Sequence, residues 1–359
     1  MTTPRLTLDV NLLAPAGRIQ GPVDGLLLRV LKEERDLTVL RLWLAMALIY
    51  VPTGVLLFAW GDPPLWAHAA YLVLTFYFAI PHILAMHVAG HRGIFKPRYR
   101  WMYDAVVWFI GPFAGQSPET YRVHHMGMHH REENLEGDLS STMLYQRDRL
   151  CHFVHYVLRF LIFGLVDLGR YHHKRGHRKM LQRMAAGEAY YVVVVGTALW
   201  FNPPVALTVF ILPLLAARIG MMCGNWAQHA FVDAEDPASP YKSSITCIDN
   251  GYNRRCFNDG FHIGHHVRPN RHWSEMPTDF LDNLDVYSRE GAVVFRGLDY
   301  FWVWLFLMLR WHRKLAEHLV DLPGQNQSLE EKVELLRSRL RPIHRENAAL
   351  SLDADGVRA

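Results

Sequence analysis

The sequence predicts an all-α membrane protein: four transmembrane helices in two hairpins, with a helical cytoplasmic cap that carries clustered histidines. Long apolar stretches with little or no charge come in pairs, each pair joined by a short turn containing proline. Lys and Arg gather beside the far ends of those stretches, and the turns themselves contain neither. Composition agrees: of 359 residues, 50% are hydrophobic and 20% are charged, below the roughly 25% charge of ordinary soluble domains.

The first hairpin pairs spans at about 42–60 and 65–86, joined by Gly61, Asp62, Pro63 and Pro64. Leu42 to Trp60, at about 1.5 Å per residue, reaches roughly 28 Å as a helix, close to the thickness of a bilayer core. The second hairpin pairs 188–202 with 204–223 across Asn202, Pro203 and Pro204, and Arg218 near its end can snorkel or face the interior. Apolar stretches at 105–114, 153–166 and 298–309 read as too short or too charged for spans, and so as interfacial or re-entrant helices. Residues 24–41 read as one amphipathic helix at the interface. The tail has a capping box, Ser328 with Glu331, ahead of an apolar stripe of Leu329, Val333, Leu336 and Leu340. The division expected is an arm over 1–40, a membrane domain over 41–318 and a tail over 319–359.

Basic residues fix the orientation, because Lys and Arg accumulate on the cytoplasmic side. Arg29, Lys32, Arg35 and Arg41 precede the first span, Arg92, Lys96, Arg98 and Arg100 follow the second, and Lys174 to Arg183 precede the third. Both termini and the histidines are therefore expected in the cytoplasm. The first apolar run starts only near residue 42 and is long enough to stay as a span, so a signal peptide is not expected. Cys151, Cys223, Cys247 and Cys256 show no CxxC spacing and no disulfide framework. A net charge of +4 is modest and tracks the membrane ends, which leaves nucleic acid unneeded as a partner.

Chemistry is concentrated in the 21 histidines. His87 and His91, His125 and His129, and His262, His265 and His266 stand three or four apart, the spacing that puts imidazoles on one helix face. Neutral imidazole is the commonest metal ligand and suits iron, zinc, copper and nickel alike. Three such clusters beside apolar spans point to a metal centre working on lipid. His68, His82, His152, His155, His312, His318 and His344 stand alone and read as structural or surface residues. His173 and His177 imitate a cluster, but Lys174, Arg175, Arg178 and Lys179 around them repel a metal ion and suit anionic headgroups.

The text HVAGH at 87–91, HMGMHH at 125–130, NWAQH at 225–229 and FHIGHH at 261–266 resembles the integral-membrane fatty acid desaturase and hydroxylase superfamily, over roughly residues 40–290. The resemblance implies nine histidines holding two iron ions: His87, His91, His125, His129, His130, His229, His262, His265 and His266. It matches Asn225 to an asparagine that reaches a metal through water. The second box has three residues between its first histidine and the pair where many desaturases have two, although three also occurs in alkane hydroxylases. On a straight helix His130 is turned about 140° from His125, so either the helix is distorted there or His124 substitutes for one of them. His272 is a further ligand or a donor behind the ligands. Carboxylates near the boxes are Glu119, Glu132, Glu133, Asp138, Asp233 and Asp259; Asp138 and Asp259 are the two expected to accept the outer N–H of a ligating imidazole.

Zinc has no redox states, so it cannot reduce dioxygen, whereas oxidising an unactivated C–H bond demands a redox metal. The resemblance implies iron, with O2 as co-substrate and a fatty acyl or lipid chain as substrate. The chain lacks HPGG text and clustered cysteines, so the two electrons come from a separate donor of ferredoxin, rubredoxin or cytochrome b5 type, which Arg254, Arg255, Arg268 and Arg271 can dock. Desaturation is the favoured outcome, because NWAQH and FHIGHH look most like the acyl desaturase pattern; hydroxylation on the same scaffold is the alternative. A metal-ion transporter is a reading from another class, disfavoured because transporters place their sites near the bilayer midplane. A non-catalytic lipid-binding relative is the last reading.

Overall fold

A computed structural model describes residues 7–9 and 21–343; His344 lies outside the described residues. The described chain is mostly helical and divides into two compact units, one built from residues 21–127 and Leu168–Gly220, the other from residues 7–9, Met128–Asp167 and residues 221–343.

In the first unit, α1 covers Pro22–Leu28, α2 Glu34–Trp60 and α3 Leu65–Arg92. The helix expected over 24–41 is broken. After α1, Leu31 pairs with Phe95 in an antiparallel bridge, with Lys32 N donating to Ile94 O and Lys96 N to Val30 O. The apolar residues of this segment are satisfied by a short strand contact, which costs the helix its middle turn. Gly61, at φ +83°, ends α2, a backbone conformation open to glycine without strain.

Residues 120–132 form α4. Leu150–Lys174 is α5, Arg178–Phe201 is α6 and Pro203–Gln228 is α7. Asn202 ends α6 and caps α7, its Oδ1 accepting from Val205 N at 3.2 Å. Its Nδ2 donates to Gly61 O at 2.5 Å, so the two hairpin turns are bonded to each other. Gly187 on α6 meets the Pro118 carbonyl so closely that a methyl group has no room, which brings α6 against the loop leading into the second histidine box.

Among the described residues five helices, α2, α3, α5, α6 and α7, are long and apolar enough to cross a membrane, where the sequence suggests four. The fifth is α5. Its apolar part was expected to be short, but polar ends extend the helix to 25 residues. Phe153, Tyr156 and Val157 are buried while Leu158, Ile162 and Phe163 are exposed.

The second unit corrects the all-α expectation. Ile245–Ile248 (β1) and Val293–Arg296 (β2) form a parallel pair in the register Ile245 to Val293 through Ile248 to Arg296. Parallel strands need a crossover, and this crossover contains His262–Val267, α8. Gly260 enters it where a Cβ would strike Cys247 O and the Asn253 side chain. Around the pair Phe231, Phe295, Val303, Leu307, Leu315 and Leu336 build a core, joined by α9, Tyr300–Met308. The tail helix α10, Leu329–Ser338, starts at the expected capping box. It is part of this core: Leu336 and Leu340 are buried in it, each stabilising by about 1.5–3 kcal/mol.

Candidate metal centre

The second box lies in a helix of changing pitch. Residues Thr120–His124 are α-helical, His125–His129 form a π-helical turn, and His130–Glu132 return to α. A π-turn closes its hydrogen bonds five residues apart and rotates by roughly 80° per residue, so residues four and five apart come to one side. The helix is therefore distorted, which was one of the two alternatives for this box. His172 fits the distortion: its Nε2 lies 3.2 Å from Val123 O, and a side chain inserted at a helix carbonyl is a recognised cause of irregular turns.

In the second unit, His129, His229, His262 and His266 bring one ligand atom each to within 4.8 Å of the others, and all four are buried. His262 Nε2 lies 3.3 Å from His229 Nε2 and 3.0 Å from His266 Nε2. His129 Nδ1 lies 2.6 Å from Asp138 Oδ2, and His229 Nδ1 lies 2.8 Å from Ser243 O. The outer nitrogens of His129 and His229 thus have fixed acceptors, which leaves the Nε2 lone pairs of these two directed inward. Burial pushes His229 down to about 3 and His266 well below the usual histidine range; both stay neutral, the form that binds metal. Nearby, His265 Nε2 lies 2.9 Å from His130 Nε2.

In the first unit, His87 and His91, one helical turn apart on α3, meet His125, with the ligand atoms of the three within 4.8 Å of one another. Ring centroids are 4.5 Å apart for His87 and His125, and Tyr121 stacks on His125 at 5.2 Å and 9°.

The profile of the family described as fatty acid desaturase matches residues 63–297, well over half of the chain and all of the gathered histidines. The chain belongs to the membrane fatty acid desaturase and hydroxylase superfamily. Comparison with curated proteins and with solved structures gives no match. Membership makes the chain an oxidoreductase of lipid chains, of a diiron class. The residues fit that metal: the quartet is all imidazole, it is buried, and the outer nitrogens of His129 and His229 are already occupied.

Other residues singled out in this desaturase-family chain lie elsewhere. His124 is in neither gathered group. His272 caps the turn Trp273–Glu275, its Nδ1 accepting from Ser274 N at 3.1 Å. Asn225 donates from Nδ2 to Ser140 O at 2.9 Å and to Tyr156 Oη at 2.7 Å. Asp259 accepts from Tyr252 Oη at 2.7 Å and from Gln228 Nε2 at 3.3 Å, and burial raises its carboxyl to about 6. Of the histidines set aside, His173 is exposed, and it is His172 whose Nδ1 meets His177 Nδ1, at 3.1 Å.

Several supporting residues carry no signal in the sequence. Thr142 Oγ1 donates to His229 O at 2.6 Å. Arg147, fully buried, donates to the carbonyls of Ala230, Arg339 and Arg341 at 2.7–2.8 Å and to those of Thr142, Met143 and Tyr145 at 3.2–3.3 Å. The loop that carries Asp138, the backbone after His229 and the end of the described chain are thereby tied to one guanidinium.

Proposed function

We propose that this protein uses O2 and two external electrons at a two-iron centre to desaturate a fatty acyl or lipid chain. One ion is held by His129, His229, His262 and His266, and His87, His91 and His125 are ligands of the other. The observation that carries the reading is the buried imidazole quartet, drawn from three separated segments, with the outer nitrogens of two members held by Asp138 and Ser243.

Iron, when bound, supplies the redox change that reduces O2 and the oxidising power that removes hydrogen from an unactivated acyl carbon. The protein's own part is positional. Asp138 holds His129 in the tautomer whose Nε2 is unprotonated, and the Ser243 carbonyl does the same for His229. Burial keeps His229 and His266 neutral and keeps water away from the quartet.

The membrane orientation proposed has both termini and the boxes in the cytoplasm. It is supported by the bonded pair of hairpin turns, which lack Lys and Arg, and by the basic residues at the opposite ends of the same helices. His87 and His91 lie in the last two turns of α3 and His229 directly follows α7. Placement at helix ends favours lipid oxidation over transport, which uses midplane sites.

Expression in a host of defined lipid composition, with mass spectrometry of its acyl chains, tests the proposal. Loss of two hydrogens from an acyl chain, abolished by His265→Ala, is the expected result. Gain of one oxygen replaces desaturation by hydroxylation on the same site, and unchanged lipids with bound zinc refute both.

A further inference from the structure

An aromatic path leads away from the quartet. Behind His129, Asp138 Oδ1 accepts from Ser140 N at 2.8 Å and from Ser140 Oγ at 2.6 Å. The Ser140 carbonyl accepts from Tyr156 Oη at 3.0 Å, and the same hydroxyl accepts from Asn225 Nδ2 at 2.7 Å. The Tyr156 ring packs on Trp226 at 5.0 Å, and Tyr145 lies 5.5 Å from Trp226 and 5.7 Å from Tyr156. Trp226 and Tyr156 are buried, while Tyr145 is half-buried and its hydroxyl lies 3.2 Å from Nδ1 of His155 in an exposed contact.

We propose that Tyr156, Trp226 and Tyr145 form a one-electron relay that carries oxidising equivalents from the metal centre to the surface when no acyl chain is in place. The inference rests on the proposed O2-dependent function. All three residues lose an electron more readily than Leu, Met or Phe, which fill such a core equally well. Electron tunnelling falls steeply with distance, and each step here is a ring contact or a short run of hydrogen bonds. The end of the path is built for a coupled transfer. Tyr145 gives up one electron, which passes through Trp226 and Tyr156 to the oxidised centre, and its phenolic proton moves to His155 Nδ1 along the existing contact. The resulting Tyr145 radical takes one electron from the external donor and its proton back from His155, which restores the residue. Two such passes consume the two oxidising equivalents of one uncoupled O2 activation. A neutral phenol without a neighbouring base is far harder to oxidise, so the His155 contact marks Tyr145 as the terminus.

The test uses the full-length iron-loaded protein, reduced and then exposed to O2 without acyl substrate. Expected is a tyrosyl radical signal in electron paramagnetic resonance. Peptide mass spectrometry is expected to find oxidative adducts on Tyr145. Tyr145→Phe loses that signal and shifts the adducts inward to Tyr156, Trp226 and the quartet histidines, while its yield of acyl product stays unchanged. Tyr145→Trp restores surface oxidation, which a merely packing role does not explain. Acyl product with no radical in the wild type, or the same adduct pattern in Tyr145→Phe, overturns the relay and leaves the proposed function standing. An iron-loaded protein that consumes no O2 overturns both.

Discussion

Replacing Asp138 by Asn tests how the quartet is held, with almost no change of shape. Asp138 is 4% exposed and accepts four hydrogen bonds: at Oδ2 from His129 Nδ1 (2.6 Å) and Asn134 N (3.0 Å), and at Oδ1 from Ser140 N (2.8 Å) and Ser140 Oγ (2.6 Å). An amide cannot serve this set. With its oxygen toward His129, the NH2 group faces the Ser140 backbone N–H, leaving a buried donor unmet at a cost of about 1–3 kcal/mol. Turned over, it meets Ser140 but opposes Asn134 N–H and forces His129 to carry its proton on Nε2, the atom directed at the quartet.

Either orientation weakens the same metal. Loss of a carboxylate behind a ligating histidine lowers affinity roughly 10–100-fold, about 1.4–2.8 kcal/mol. The assay is chelator competition on protein loaded with two metal ions, followed by metal analysis. In Asp138→Asn one ion is expected to leave at 10–100-fold lower chelator concentration while the other stays. Two ions released together at wild-type chelator concentration refute the reasoning, as does a variant whose weak ion is restored by Ser140→Ala alone.

Three further substitutions probe the frame. Arg147→Met strips the donor from six carbonyls across three segments; a loss of roughly 3–5 kcal/mol lowers the thermal midpoint by on the order of 10 °C, measured in detergent, and an unchanged midpoint refutes the clamp. Asp259 has its carboxyl raised by burial to about 6 from the usual 3.8. Its contribution is therefore full below 3.8 and lost as pH rises through 6, by about 3 kcal/mol in all. Asp259→Asn should remove that fall, so that wild type and variant midpoints diverge between about pH 4 and 6; curves parallel across that window sink the assignment. Gly260→Ala drives a methyl group into Cys247 O and Asn253, costs about 1–3 kcal/mol and should displace α8 enough to lower bound metal, which metal analysis of the purified protein checks.

What could be read from the chain follows how local each interaction is. His87 with His91 and His262 with His266 are legible, because residues four apart share one face of a helix. The turn at Asn202, Pro203 and Pro204 and the capping box at Ser328 are local in the same sense. The strand pair is not: ITCI and VVFR are four-residue, mostly apolar runs that pair in parallel across a crossover of more than forty residues, and runs so short carry no period. Helix α5 misled for a related reason. Arg159, Asp167 and Arg170 interrupt its apolar run, but the helix continues past them to Lys174 and packs Phe153, Tyr156 and Val157 against Met222 and Trp226, a partnership composition does not reveal.

The second box shows where the boundary lies. From text alone, His124 and His125 compete as its first member, because an α-helix cannot direct His125, His129 and His130 together. The helix is π-helical over His125–His129, and the side chain engaging the carbonyl just before that turn, His172, is 49 residues on. Its ring also lies against Gly127, where a Cβ would stand 3.0 Å from it. The small residue at 127 and the histidine at 172 are thus one device: the first leaves room for the second, and the second holds Val123 O at the head of the turn. If so, register depends on a residue that binds no metal. His172→Phe keeps the ring but removes the hydrogen bond, and it should reduce bound metal while leaving His87 and His91 in place. A variant that binds both ions with wild-type affinity would show that the π-turn is set within residues 120–132 themselves.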